Sequence, residues 1–264
     1  MKNIILPLGV SDNAQHSLSY AIDLAASFQG VIYVMDSFNP SFPNAHLLNV
    51  KEIVGRNNFK RLKALIQTIA HKGIKIQLVN YEGDLLSGIA ALDEEVGIDL
   101  VVSGLTPNAN DNAVFLGPTA GRLVKKTNLP VWIIPEGARF KAPKKALFAF
   151  KRGKTDGERS LEPLRFLIDT FKTKVELLLV KVPGKERKDF TIDREIVALS
   201  DQMTTTENGT VYQGVLEYFH RLQPDLLTVF ARKRGFFEKL IESDVVYKKD
   251  FYTKTPFLVL KNRP

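Results

Sequence analysis

The chain has 264 residues and a mass of 29.6 kDa, enough for one large domain or two modest ones at roughly 100–200 residues each. Its 44% hydrophobic and 25% charged residues suit a globular fold with a real core, and zero cysteines exclude disulfides, thiolate metal sites and a cysteine nucleophile. The net charge is +8, yet residues 1–137 hold 11 Lys/Arg against 12 Asp/Glu while residues 138–264 hold 26 against 17, so the basic excess lies wholly in the second half.

In chain order, residues 3–8 read as a short buried strand; the apolar stretch is cut by Pro7 and too short for a secretory signal. No apolar run approaches the ~18 residues of a membrane span. A cytoplasmic chain without a membrane partner is therefore expected. Ser11 is placed to cap a helix carrying Leu18, Ala21, Ile22 and Ala25 on one face. Val31 to Met35 is the next strand, then a long helix shows Leu62, Leu65, Ile66 and Ile69 and stops at Gly73. Ile76 to Val79 is a strand, and Leu85, Gly88, Ile89 and Leu92 form a helical stripe with Asp93-Glu94-Glu95 as its solvated face. Asp99 to Ser103 is a strand, Ala120, Leu123, Val124 and Thr127 a helix, and Val131 to Ile134 a strand. After the Pro- and Gly-bearing joint near 137–143 the order returns: strand Leu147 to Phe150, helix face Leu164, Leu167, Ile168 and Phe171, strand Val175 to Val180, and helix face Val211, Gly214, Val215, Tyr218 and Leu222.

Four landmarks recur at one offset, 126: Gly83 with Gly209, Gly88 with Gly214, Asp99-Leu100 with Asp225-Leu226, and Pro130 with Pro256. Ser11-Asp12 and Thr155-Asp156 correspond at 144, which places a longer insert in the first half. The reading is a tandem repeat of two domains, 1–138 and 143–264. Apolar strands alternating with helices predict an α/β fold: in each half a doubly wound parallel sheet, with ligands at the carboxyl ends of its strands.

The element order, the strand Asp99-Leu100-Val101-Val102 and the strand Leu129-Pro130-Val131-Trp132-Ile133-Ile134 resemble the universal stress protein family. The resemblance implies two adenine-nucleotide α-hydrolase-like domains related by a pseudo-two-fold, with Val131 to Ile134 and Phe257 to Leu260 paired across it. Such an intrachain pseudo-dimer would cover a strand edge, and the chain could still form a homodimer. Many members of the family bind ATP on a loop written Gly, two residues, Gly, nine residues, Gly-Ser/Thr. Here Gly104 and Gly117 take the outer glycine positions, Pro107 replaces the middle one, Pro118 stands at the Ser/Thr position, and Thr119 follows with a hydroxyl. Gly9 stands where the family places a ribose-binding Asp, and the main chain at Val34 and Met35 matches its adenine contacts. The cofactor so implied is ATP, ADP or AMP, confined to the first domain.

Both prolines lack an N–H, and Pro107 cannot take a positive φ. Two lost donors and a lost carboxylate would cost roughly 4–9 kcal/mol if additive. A micromolar ligand has only about 8 kcal/mol of binding free energy. The offset takes Gly104 to Phe230, Pro107 to Lys233, Gly117 to Ser243 and Pro118 to Asp244, so the second half keeps no phosphate-cradling glycine. Arg232-Lys233-Arg234 is a solvated basic loop or an anion site, and Phe236-Phe237 beside it is core, a lid or an interface patch. The basic clusters Lys144-Lys145, Lys151-Arg152 and Lys185 to Lys188 have few aromatics between them, so nucleic acid is not expected. They read as a solvated basic surface, with a small anion or a protein partner as the alternative.

His16, His46, His71 and His220 show no metal-ligand spacing, Ser103 lacks a nucleophile elbow, and Asp12 and Asp156 suit a helix first turn. Asp36, ending the second strand near the crevice, stays as a candidate ligand. The expected function is a non-catalytic stress-response binding or signalling module in which nucleotide binding is weak, altered or lost. The alternative is an ATP-binding, slowly hydrolysing protein that uses Gly104 to Thr119.

Overall fold

The computed structural model describes residues 1–9, 13–38, 48–105, 114–155, 157–184, 190–231, 246–247 and 253–261. Ser11, Asp12, His46, Pro107, Asp156, Lys185 to Lys188, Arg232-Lys233-Arg234, Phe236-Phe237, Ser243 and Asp244 lie outside the described residues.

The first half contributes strands β1 (Asn3–Pro7), β2 (Val31–Phe38), β3 (Lys75–Glu82), β4 (Leu100–Gly104), β5 (Val114–Leu116) and β6 (Val131–Ile134). Its helices are α1 (Ala14–Ala26), α2 (Leu48–Thr68), α3 (Leu85–Val96) and α4 (Pro118–Lys126). The second half adds β7 (Lys145–Phe150), β8 (Lys174–Lys181), β9 (Gln202–Glu207), β10 (Leu226–Phe230), β11 (Val246–Tyr247) and β12 (Phe257–Leu260). Helices α5 (Glu162–Phe171), α6 (Arg194–Val197) and α7 (Val211–Leu222) complete it.

Ten strands form one α/β sheet in the order β3-β2-β1-β4-β6-β12-β10-β7-β8-β9. Every neighbour pair in it is parallel except the central one, where Phe257 faces Ile133, Leu258 faces Trp132 and Val259 faces Val131 antiparallel. Outward from that seam the two sides run in the same order. β5 and β11 pair antiparallel as a separate two-stranded sheet, so the chain leading into α4 is tied to the second half.

The repeated residues have repeated jobs. Asp99 Oδ2 accepts from the N–H groups of Lys2 and Asn3 at 2.6 and 2.9 Å, and Asp225 Oδ2 accepts from Lys144 and Lys145 at 3.0 Å each. Each aspartate thus pins the start of its half's first strand. The Pro130 carbonyl accepts from Val101 N at 2.9 Å, as the Pro256 carbonyl does from Leu227 N at 3.0 Å. Gly88 and Gly214 mark close approach of helix to sheet. A Cβ on Gly88 would sit 2.8 Å from the Tyr81 ring, and one on Gly214 would sit 2.6 Å from Val180 Cγ1.

Apolar side chains bury on both faces of the sheet. On one face α1 and α5 pack across the seam, with Phe28 edge-on to Phe166 at 5.0 Å and Phe140 between Tyr20 and Phe171. Trp132, 1% exposed, donates from Nε1 to Tyr20 Oη at 3.2 Å, which satisfies the indole in a dry core.

Two local expectations change. Asn13, not Ser11, occupies the N-cap of α1; its side chain makes no capping bond there, and its Nδ2 donates instead to the Leu105 carbonyl at 3.0 Å. Asp93 is not simply a solvated acid, since its Oδ1 accepts from Ile98 N at 2.6 Å and closes the turn after α3.

Candidate functional site

A cavity of about 370 Å³ opens at the carboxyl ends of β1, β2 and β4, beside the first turn of α4. Helices feed back over a parallel sheet there, and the chain reverses on both sides of β1, which leaves a crevice. The cavity brings together Gly9, Met35, Gly104, Gly117 and Thr119. Val34 does not line it; that residue is fully buried among the apolar side chains of the sheet. Asp36, the acid kept as a candidate ligand near the crevice, lines the cavity, and Ser103 lines it as well.

The three glycines do different things. A Cβ on Gly9 would meet nothing within 4 Å, so this glycine simply leaves room. A Cβ on Gly104 would fall 1.9 Å from Ser17 Oγ on α1. Gly104 is therefore small because a helix packs on it, whatever else it does. Gly117 is the N-cap of α4 with φ −77° and ψ 171°, a conformation open to any residue, so its bareness serves space and not backbone geometry. Pro118 stands at the first helical position, where its missing N–H costs the helix nothing. Thr119 and Ala120 then supply the first free N–H groups of α4.

Asp36 has the most unusual setting. The residue is 5% exposed, and its Oδ2 is buried with no hydrogen-bond partner among the described residues. Burial raises its carboxyl above the ordinary 3.8, and a hydrogen bond from the Asn58 side chain on α2 works in the opposite sense. Among the described lining residues there is no Lys or Arg to balance it.

A second hollow of about 310 Å³ continues outward and shares Ser37, Leu85 and Thr119 with the first. At its rim Arg122 of α4 donates from Nη2 to Asp84 Oδ1 at 2.6 Å, while Asp84 Oδ2 caps α3 through Leu86 N at 2.9 Å. The Arg122 hydrogen bond holds the Asp84 carboxyl below its ordinary range. This exposed pair ties the two helices that flank the cleft.

At the equivalent strand end the second half carries a large aromatic side chain. Phe230 sits at the register position of Gly104, since each faces the last residue of the neighbouring seam strand. Its ring packs edge-on to Phe148 at 5.1 Å, and Phe148 packs on Phe150 at 5.2 Å. Likewise Leu179 takes the position of Asp36.

Residues 1–135 match the model of the universal stress protein family. The chain belongs to that family. A universal stress protein of Methanocaldococcus jannaschii is 27% identical over 151 residues, covering 54% of this chain and 84% of that protein. The universal stress protein of Archaeoglobus fulgidus has a similar fold, with TM-score 0.71 at 16% identity over 98% of this chain and 96% of that one. A putative universal stress protein of Pseudomonas aeruginosa aligns with TM-score 0.60 at 16% identity over 99% of this chain and 93% of its own. Among the described residues no group of His, Asp and Glu could hold a metal ion, and no helix is long and apolar enough to cross a membrane.

Proposed function

We propose that this universal stress protein is a tandem of two family domains, 1–138 and 143–264, and acts as a non-catalytic stress-response binding module with its ligand site in the first domain. The observation that carries the reading is the contrast between the strand ends of the two halves: an open 370 Å³ cleft beside Gly104 in one, and Phe230 edge-on to Phe148 at the position of Gly104 in the other. The mirrored strand order about the β6–β12 seam supports the tandem arrangement, in which one chain takes the form of a pseudo-dimer. Family membership supports the stress-response role.

Adenine nucleotides would be held weakly in this cleft. Gly9 offers no carboxylate to a ribose, Pro118 offers no N–H to a phosphate, and a buried acid without a cation repels a polyphosphate. Titration calorimetry of ATP, ADP and AMP into the nucleotide-free protein tests this. Dissociation constants no tighter than about 100 μM are expected, with ATP the weakest of the three. Low-micromolar ATP binding at one site per chain would overturn the weak-binding reading. A second saturable site would overturn its confinement to the first domain.

A further inference from the structure

A carboxylate oxygen buried without a partner costs the fold free energy. The fold does not need it. Leu179 holds the same register position in the second half, 3% exposed and packed in the core, so an aliphatic side chain suits this strand position. The acid is therefore an addition to the first half, and it lines a cavity large enough to admit a small molecule. Its surroundings define what would satisfy it. Asn58 already bonds the carboxyl group, Oδ2 remains open, and the neighbouring polar side chains are the hydroxyls of Ser17, Ser37, Ser103 and Thr119. None of these brings a positive charge, and among the described residues no donor reaches Oδ2, so the N–H of a ligand would find an open acceptor there.

We propose that Asp36 makes the first-half cleft a receptor for a small molecule whose head group donates an N–H hydrogen bond, an ammonium, a guanidinium or an amino-heterocycle, to its Oδ2. This rests on the cleft being the binding site and names the chemistry it selects. The N–H group replaces the water that the carboxylate lost on folding, and the hydroxyls beside it accept or donate for the rest of the head. A polyphosphate tail gains nothing from this lining, whereas an uncharged or cationic molecule fits both the acid and the absence of basic groups among the described lining residues.

Calorimetry on the full chain with four probes decides the matter: agmatine, adenosine, purine riboside (adenosine without its 6-amino group) and ATP. The protein is compared with Asp36→Asn and Asp36→Leu, the latter reproducing the residue the second half already tolerates. Thermal melts establish that both variants fold. The expected result is one site per chain for agmatine or adenosine, weakened about tenfold or more in both variants. Binding of agmatine assigns a cationic head; binding of adenosine alone, with purine riboside about tenfold weaker, assigns an amino-heterocycle. Affinity unchanged in both variants, or purine riboside and ATP binding as well as adenosine, would overturn the role of Asp36 while leaving the cleft a binding site. No binding by any of the four would overturn both.

Discussion

Two residues at the cleft, Asp36 and Gly104, have measurable consequences for the fold. Asp36 has a carboxyl raised by burial, so the folded chain keeps its proton over a pH range in which the unfolded chain has lost it. Below the ordinary value of 3.8 both states are protonated and the group contributes no pH dependence. As pH rises above that value the unfolded state ionises first, so stability falls, and the fall stops once the folded carboxyl has ionised too. Asp36→Asn removes the titration. Urea denaturation at several pH values should show the variant at least as stable as the parent at neutral pH, with the advantage shrinking toward low pH. A variant less stable at neutral pH would mean that the carboxylate holds a partner in the fold. Gly104→Ala works in the other direction. Its Cβ, 1.9 Å from Ser17 Oγ, must displace the Ser17 hydroxyl, and overpacking of this kind costs roughly 1–3 kcal/mol. Adding Ser17→Ala should restore part of that loss, because the next contact is Ser17 Cβ at 3.0 Å.

Elements that fill a face of the sheet were legible in the sequence, and those that fill none were not. The apolar strands β1 to β4 and β6 to β8 and the amphipathic helices of at least nine residues follow from periodicity, since each must hide one face or two, while β10 and β12 follow from the repeat. β9 was missed because Gln202–Glu207 is polar along an outer edge of the sheet; its run of threonines, β-branched and half exposed, was the available signal. The four-residue α6 and the two short strands β5 and β11 carry too few residues to show a period. The cleft was legible where it is glycine: Gly9, Gly104 and Gly117 all line it. The reason for Gly104 was not, because Ser17 reaches it only once α1 lies across β4. Nor was the burial of Asp36, which depends on Asn58 of α2 and on the sheet register. At the rim, Asp84 caps α3 through one oxygen and ties it to α4 through the other. Asp84→Asn keeps an acceptor for Leu86 N and loses the ion pair with Arg122, an exposed contact worth under about 1 kcal/mol. Asp84→Ala loses the cap as well and should cost about 0.5–2 kcal/mol more. Equal losses in chemical denaturation would assign the whole effect to the ion pair.

Across the whole molecule, the halves are joined by more than the β6–β12 seam. Lys261, the residue after β12, is 7% exposed, and its Nζ donates to the carbonyl of Val124 near the C-terminal end of α4. The residue after β12 is thus tied to the helix whose first turn opens onto the cleft. A helix C-terminus carries partial negative charge and favours this cation, but burial outweighs it and pushes the amine from 10.5 down to about 8. Between those two values the unfolded chain binds the proton and the folded chain has released it, so this group makes stability rise with pH. Below about 8 both states are charged and the contribution is flat. Tyr20 acts oppositely and later: burial raises its phenol above the ordinary 10.0, partly offset by the Trp132 hydrogen bond, so the folded state keeps a proton that the unfolded chain loses above that pH. The window from about 8 to 10 therefore separates Lys261 from Tyr20. Lys261→Met has no proton to release there. Urea denaturation at about pH 7.5 and about pH 9.5 should show the parent gaining stability relative to the methionine variant by up to about 2 kcal/mol. A difference that stays constant across that window would mean the amine is solvated when the halves are joined, and that the contact with α4 does not hold in solution.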